Sequence, residues 1–169
     1  ILTLGGVNSE VQYPGHTISW TTLSNKSNPL GFWRVKVEKM AFETHGEDKK
    51  FINIGTEKDM VAFDIGKGTI IDSATSQSYF PKSFLAALGK AFEEATGGVK
   101  LKTTKLTEEQ VKLIPTLLVF FKDAKTQKSF AIKMPATDYL ETNGDGEYNI
   151  MLRATETKGA VLGANFLDG

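Results

Sequence analysis

The stretch Gly68-Thr69-Ile70-Ile71-Asp72-Ser73-Ala74-Thr75-Ser76 decides how this chain reads. A short apolar strand, Thr69-Ile70-Ile71, delivers an aspartate into a turn of small hydroxyl-bearing residues. A carboxylate held there can accept hydrogen bonds from backbone N–H groups and hydroxyls, which orient it and favour its ionised form. Taken alone, the same residues read equally well as a strand end closed by an Asx turn. The flanking sequence has to separate the two readings.

Outward from Asp72 the chain is a series of short strands between turn signals. Residues 1–4 are apolar and end at Gly5-Gly6, and 17–23 follow the turn at Pro14-Gly15. Residues 32–42 alternate, with Trp33, Val35 and Val37 on one face and Arg34, Lys36 and Glu38 on the other. The apolar phase then moves to Met40 and Phe42, which predicts a bulge near Glu38-Lys39. Residues 51–54 and 60–65 read as a hairpin, and 117–121, 130–134 and 160–162 as further strands. One helix is well signalled: Pro81 occupies a first helical position, Phe84, Leu85, Leu88 and Phe92 share a face, and Gly97-Gly98 stops it. Residues 107–113 make a second short helix. The class is mostly β, in antiparallel sheets with one or two short helices.

Composition sets the outer bounds. With 169 residues, 40% hydrophobic and 24% charged, the chain suits one folded domain over residues 1–169. Twenty basic residues balance twenty acidic ones, so no net field recruits nucleic acid or an anionic membrane. No apolar run approaches the ~20 residues of a membrane helix. Cysteine is absent, which excludes disulfides and thiolate metal sites and fits a reducing compartment without proving one. The chain opens on a strand already under way, so both ends read as cut from something longer.

Several segments, in order, resemble the C-terminal lobe of pepsin-like aspartic peptidases. Around Asp72 the pattern is two apolar residues, then Asp-Ser-Ala-Thr, close to the signature Asp-Ser/Thr-Gly-Ser/Thr. Leu4-Gly5-Gly6-Val7-Asn8 resembles the strand that opens the lobe, and Tyr13-Pro14-Gly15-His16-Thr17-Ile18-Ser19-Trp20 the Tyr-x-Gly-x-Leu-x-Trp segment after it. Phe32-Trp33-Arg34-Val35, Phe80-Pro81 and Ile114-Pro115-Thr116-Leu117 are similar to three later elements. Ala160-Val161-Leu162-Gly163-Ala164-Asn165-Phe166-Leu167 is similar to the apolar-Leu-Gly-x-x-Phe-Leu motif near the lobe's end.

The resemblance implies a pepsin-like lobe in which Asp72 is one of two catalytic aspartates. Ser73 would bind the matching turn of the other lobe, Thr75 would hydrogen-bond the carboxylate, and Ala74 and Ser76 would complete the active-site turn. Val161, Leu162 and Gly163 would form the buried strand beside it. Two such aspartates share a proton and activate a water that attacks the peptide carbonyl. It implies further an N-terminal lobe as partner, a peptide or protein substrate, no cofactor and no metal, and a secretory or endolysosomal location. A non-catalytic pepsin-like protein, acting as a binding or structural module, is the alternative.

Three features depart from the family pattern. Ala74 stands where the signature has glycine, and its methyl is expected to push on the carboxylate or on substrate. Only one Asp-Ser/Thr-x-Ser/Thr site occurs, and the chain stops shortly after Phe166-Leu167. Remaining motifs are weaker. His16 and His45 lie far apart without a carboxylate cluster, which argues against zinc. Thr142-Asn143-Gly144-Asp145-Gly146-Glu147 lacks calcium-loop spacing and reads as an exposed turn. Gly66-Lys67-Gly68 precedes a strand and so is no phosphate loop, and Asn25-Lys26-Ser27 is a glycosylation sequon usable only by a secreted chain.

Overall fold

Short β-sequences between glycine and polar turns form three sheets in the computed structural model, which describes residues 19–23, 31–142 and 147–167. In chain order the elements are β1 (Arg34–Val35), β2 (Lys39–Glu43), β3 (Phe51–Asn53), α1 (Glu57–Met60), β4 (Thr69–Ile71) and β5 (Tyr79–Pro81). They continue with α2 (Leu85–Ala95), β6 (Thr104–Leu106), α3 (Glu108–Lys112), β7 (Thr116–Lys122), β8 (Ser129–Met134) and α4 (Ala136–Tyr139). The last are β9 (Leu140–Thr142), β10 (Tyr148–Ile150), β11 (Arg153–Glu156), β12 (Ala160–Leu162) and α5 (Ala164–Leu167). Single 3-10 turns at Val61–Phe63 and Lys82–Phe84 extend α1 and lead into α2. The expectations at residues 1–4, 4–8, 13–18, 25–27 and 143–146 lie outside the described residues.

The architecture is mostly β, with one correction to the expected antiparallel sheets. The sheets β3-β2-β7-β8 and β6-β10-β9 are antiparallel throughout. The sheet β1-β4-β12-β5-β11, which carries Asp72, is mixed: β12 runs parallel to β4, and β11 parallel to β5. The parallel register Thr69 to Ala160, Ile70 to Val161 and Ile71 to Leu162 brings the C-terminal ends of β4 and β12 to the same edge. Asp72 and Gly163 therefore emerge side by side.

The phase shift after Val37 marks a change of sheet instead of a bulge. β1 pairs with β4, whereas β2 pairs with β3 and β7, and Glu38 N–H donates to Phe120 O at 2.9 Å as the chain crosses over. Val35 and Val37 are buried as expected, but the expected faces invert at their neighbours: Trp33 is 69% exposed and Arg34 only 3%. The Arg34 guanidinium packs beside Gly68, where a Cβ would come within 2.4 Å of Nη2 and where φ of 70° favours glycine. Of the strand expected over 17–23, the described residues make two isolated bridges, Thr21 to Asp123 and Leu23 to Val35.

The second strand of the hairpin expected at 51–54 and 60–65 does not form. Thr56 N–H and its hydroxyl both donate to Asp59 Oδ2, at 2.7 and 2.8 Å, and this cap starts α1. Met60 and Phe63 are buried at helical spacing while Val61 and Ile65 stay exposed, so a period of three prevails over alternation. Both expected helices form, but Pro81 ends β5 with ψ 141° instead of opening the helix. The short turns α1, α4 and α5 add to them.

The core that carries the Asp72 sheet is aromatic. Phe63, Phe80 and Phe84 pack with ring centroids 4.9 to 6.3 Å apart, Phe42 meets Phe92 at 5.6 Å, and Phe121 meets Phe166 at 6.1 Å. Phe63, Phe80, Phe84 and Phe92 are all essentially inaccessible, and emptying one such site costs about 3–5 kcal/mol.

Candidate functional site

β4 ends at Ile71, and the ladder continues one residue further: Asp72 N–H donates to Leu162 O at 3.0 Å. The chain then turns, with Thr75 N–H on Asp72 O at 3.2 Å. Ala74 N–H donates to Asp72 Oδ1 at 3.0 Å and the Thr75 hydroxyl to Oδ2 at 2.6 Å. Each carboxylate oxygen thus holds one donor supplied by its own turn, and both oxygens of this half-buried residue keep further acceptor capacity. The Thr75 hydroxyl first, then the Ala74 N–H, hold its pKa below the ordinary carboxylate value, with a smaller pull from Lys67.

The expected turn residues divide by exposure. Thr75 is half-buried against the carboxylate, whereas Ser73, Ala74 and Ser76 are exposed. Ala74 does not adopt a positive φ, so its methyl imposes no left-handed strain on the turn. Its N–H is one of the two donors that orient the carboxylate.

β12 supplies the floor. Ala160, Val161 and Leu162 are buried, and at Gly163 the strand passes so close to the turn that an added Cβ would lie 2.4 Å from Gln77 O and 2.5 Å from Thr75 O. Past Gly163, Ala164 N–H donates to Thr75 O at 2.7 Å and Asn165 N–H to Ser76 O at 3.2 Å. The backbone of α5 therefore laces the far side of the Asp72 turn.

Two residues at this junction were not legible in the sequence. Ser78 is fully buried; its hydroxyl accepts Gly163 N–H at 3.1 Å and donates to Asn165 Oδ1 at 2.9 Å. Ser78 sits in a polar run and Asn165 at a variable position of an apolar motif, and they meet across 87 residues of chain. No local signal pairs them.

The weaker candidates stay apart from the turn. His45 Nε2 makes a hydrogen bond of 2.7 Å with Ile114 O, and among the described residues no three His, Asp or Glu side chains cluster to hold a metal ion. Gly66 and Gly68 shape the turn into β4 at φ 62° and 70°, and Lys67 pairs with Glu156 at 2.6 Å. No helix among the described residues is long and apolar enough to cross a membrane. No protein-family model matches the chain, and no curated protein does either.

Proposed function

We propose that this chain is one half of a pepsin-like aspartic endopeptidase, with Asp72 as one of its two catalytic carboxylates. The observation that carries the reading is the setting of Asp72. It follows the C-terminal end of β4, between β1 and β12 in the sheet, bears one donor on each oxygen from Ala74 and Thr75, and remains half-exposed over a glycine-floored crossing at Gly163. In this reading a second carboxylate comes from an N-terminal lobe, on the same precursor or a separate chain. Like charges that close cannot both ionise easily, so one proton is shared, and the depressed pKa of Asp72 suits it to the ionised member.

The chemistry follows. The ionised carboxylate takes a proton from a bound water, whose oxygen attacks the peptide carbonyl carbon, while the protonated partner gives its proton to the carbonyl oxygen. The tetrahedral adduct then collapses: the C–N bond breaks as the leaving nitrogen takes the proton that Asp72 received from the water, and a hydroxyl of the adduct returns its proton to the partner carboxylate as the C=O bond re-forms. Trp33 and Phe32 fit the face toward the other lobe: Trp33 O accepts Ile71 N–H beside the Asp72 turn, and the two side chains are 69% and 41% exposed. A peptide or protein is the substrate, and the family reading places the protein in the secretory or endolysosomal pathway.

Ala74, standing where the signature has glycine, favours a second reading: a non-catalytic pepsin-like module that binds or scaffolds. The test is cleavage of a fluorogenic peptide from pH about 3 to 7 by the chain alone and with its partner lobe. The catalytic reading expects no turnover by the chain alone, and acid-optimal, pepstatin-sensitive turnover by the pair. A partner lobe with no aspartate at the matching position, or an inactive folded pair, decides for the module. Pepstatin-sensitive cleavage by a dimer of this chain overturns the two-lobe arrangement.

A further inference from the structure

We infer that Ser78 and Asn165 are positioning residues for Asp72, acting through the Leu162–Gly163 peptide unit. The significance for catalysis rests on the reading above; the positioning itself does not. One peptide plane joins the two sides of the junction. Its carbonyl, Leu162 O, accepts Asp72 N–H at 3.0 Å, and its amide, Gly163 N–H, donates to Ser78 Oγ at 3.1 Å. Turning that plane to suit any other acceptor would withdraw the carbonyl from Asp72.

The β-ladder does not hold this plane from the Ser78 side. β12 meets β5 at the single pair Val161 to Tyr79, and Gly163 lies beyond it, pressed on the carbonyls of Thr75 and Gln77. The Ser78 hydroxyl replaces the missing backbone acceptor. It is directed by its own donation to Asn165 Oδ1 at 2.9 Å, which leaves its lone pairs for Gly163 N–H. The order is continuous: Asn165 amide oxygen, Ser78 hydroxyl, Gly163 and Leu162 peptide, Asp72 N–H. Each donor–acceptor step polarises the next, so the links act together.

Asn165 carries a sign of this role. Its Nδ2 is buried and finds no partner among the described residues, a desolvation cost that an apolar side chain would avoid. The side chain is useful here through Oδ1. Both residues are neutral, and the charge acting on Asp72 from its surroundings is Lys67, in the turn before β4, so substituting Ser78 or Asn165 changes geometry without changing charge.

The experiment reads two quantities by NMR in the whole chain: carboxyl titration curves of Asp72 and Asp123, and hydrogen exchange of their amides. Asp123 is the internal control, because its N–H is bonded to Lys128 O at 2.8 Å in a separate sheet. Ser78→Ala and Asn165→Ala are expected to raise the Asp72 midpoint toward the ordinary carboxylate value and to speed exchange of its amide by about tenfold or more. Both Asp123 signals should stay in place. The double variant should match the larger single effect, since both residues act through one chain of bonds. If Ser78→Ala does not fold, Asn165→Ala and the hydroxyl-retaining Ser78→Thr carry the test, the first moving the Asp72 signals and the second sparing them. Folded Asn165→Ala or Ser78→Ala protein with Asp72 signals unmoved, or with Asp72 and Asp123 moved alike, overturns the inference. Neither readout requires turnover, so an inactive enzyme and a failed positioning chain give different results.

Discussion

Asp72-Ser73-Ala74-Thr75 and Asp123-Ala124-Lys125-Thr126 are built on one local plan. In each, the aspartate accepts the N–H of the residue two ahead, at 3.0 and 2.9 Å, and the hydroxyl of the threonine three ahead, at 2.6 and 3.0 Å. They differ in what else arrives. Asp123 also accepts Thr126 N–H at 2.7 Å and, on its other oxygen, Trp20 N–H at 3.0 Å, while Ala124 N–H returns to Trp20 O at 2.6 Å. It is 8% exposed, and the N–H groups of Thr126 and Trp20 lead in lowering its pKa to about 2. Its bonds tie a hairpin turn to a distant segment, with little left for a substrate. Asp72 has two donors, both from its own turn, and open lone pairs above a strand crossing. The same four-residue motif thus yields a latch in one place and an available carboxylate in the other, and the distant partners decide which.

The largest expected effect touches only the Asp72 side. Gly163→Ala should cost about 1–3 kcal/mol by driving a methyl into two backbone carbonyls, and should shift the Asp72 titration while leaving that of Asp123 alone. Denaturant unfolding with parallel NMR titration checks both parts.

On the latch side, Asp123→Asn should lower Tm by more than Asp72→Asn, since the amide presents a donor to one of the N–H groups now bound. The acid dependence sharpens the contrast. The folded Asp123 carboxyl falls from the ordinary 3.8 to about 2, so its contribution is present above pH 3.8 and drains as pH falls through that window. Thermal melts from pH 5 to about 2 should show the gap between wild type and Asp123→Asn closing.

Smaller effects follow from the backbone. Gln127, in the Asp123 turn, holds φ 59°, so Gln127→Gly should be neutral or stabilising by under about 1 kcal/mol, net of its lost bond to Ala124 O. Ala74 has no such strain, and Ala74→Gly should destabilise by under about 1 kcal/mol and leave the Asp72 midpoint where it is. A marked change in that midpoint would mean that the alanine methyl does distort the turn.

The contrast between the turns also marks what the sequence could reveal. Thr69–Ile71 and Ala160–Leu162 were legible as strands because each is a short uncharged run following a glycine turn, and the family resemblance set them beside each other. Residues 107–113 were legible as a short helix, and the structure starts α3 with a capping pair, Thr107 N–H donating to Gln110 Oε1 at 3.0 Å. A similar pair at Thr56 and Asp59 starts α1, and residues 60–65, expected as a strand, instead close α1 and form the 3-10 turn at Val61–Phe63. β5, β6, β10 and β11 are short, carry little alternation and pair with strands far along the chain, while β9 is a three-residue strand paired with β10. Ser78 and Asn165 were hidden for the same reason, and so was Asp123, one of whose two leading donors is Trp20, 103 residues away.

Turnover of Asp72→Asn, in the protein paired with the proposed second lobe, tests the central claim most directly. The amide keeps the shape of the carboxylate but cannot accept the proton of the attacking water. With unfolding and mass measured alongside, the account predicts a folded variant without detectable turnover, and an Asp123→Asn control that retains turnover wherever it remains folded. Retention of about a tenth of wild-type activity or more by folded Asp72→Asn protein would contradict it, because loss of a catalytic carboxylate costs far more than tenfold.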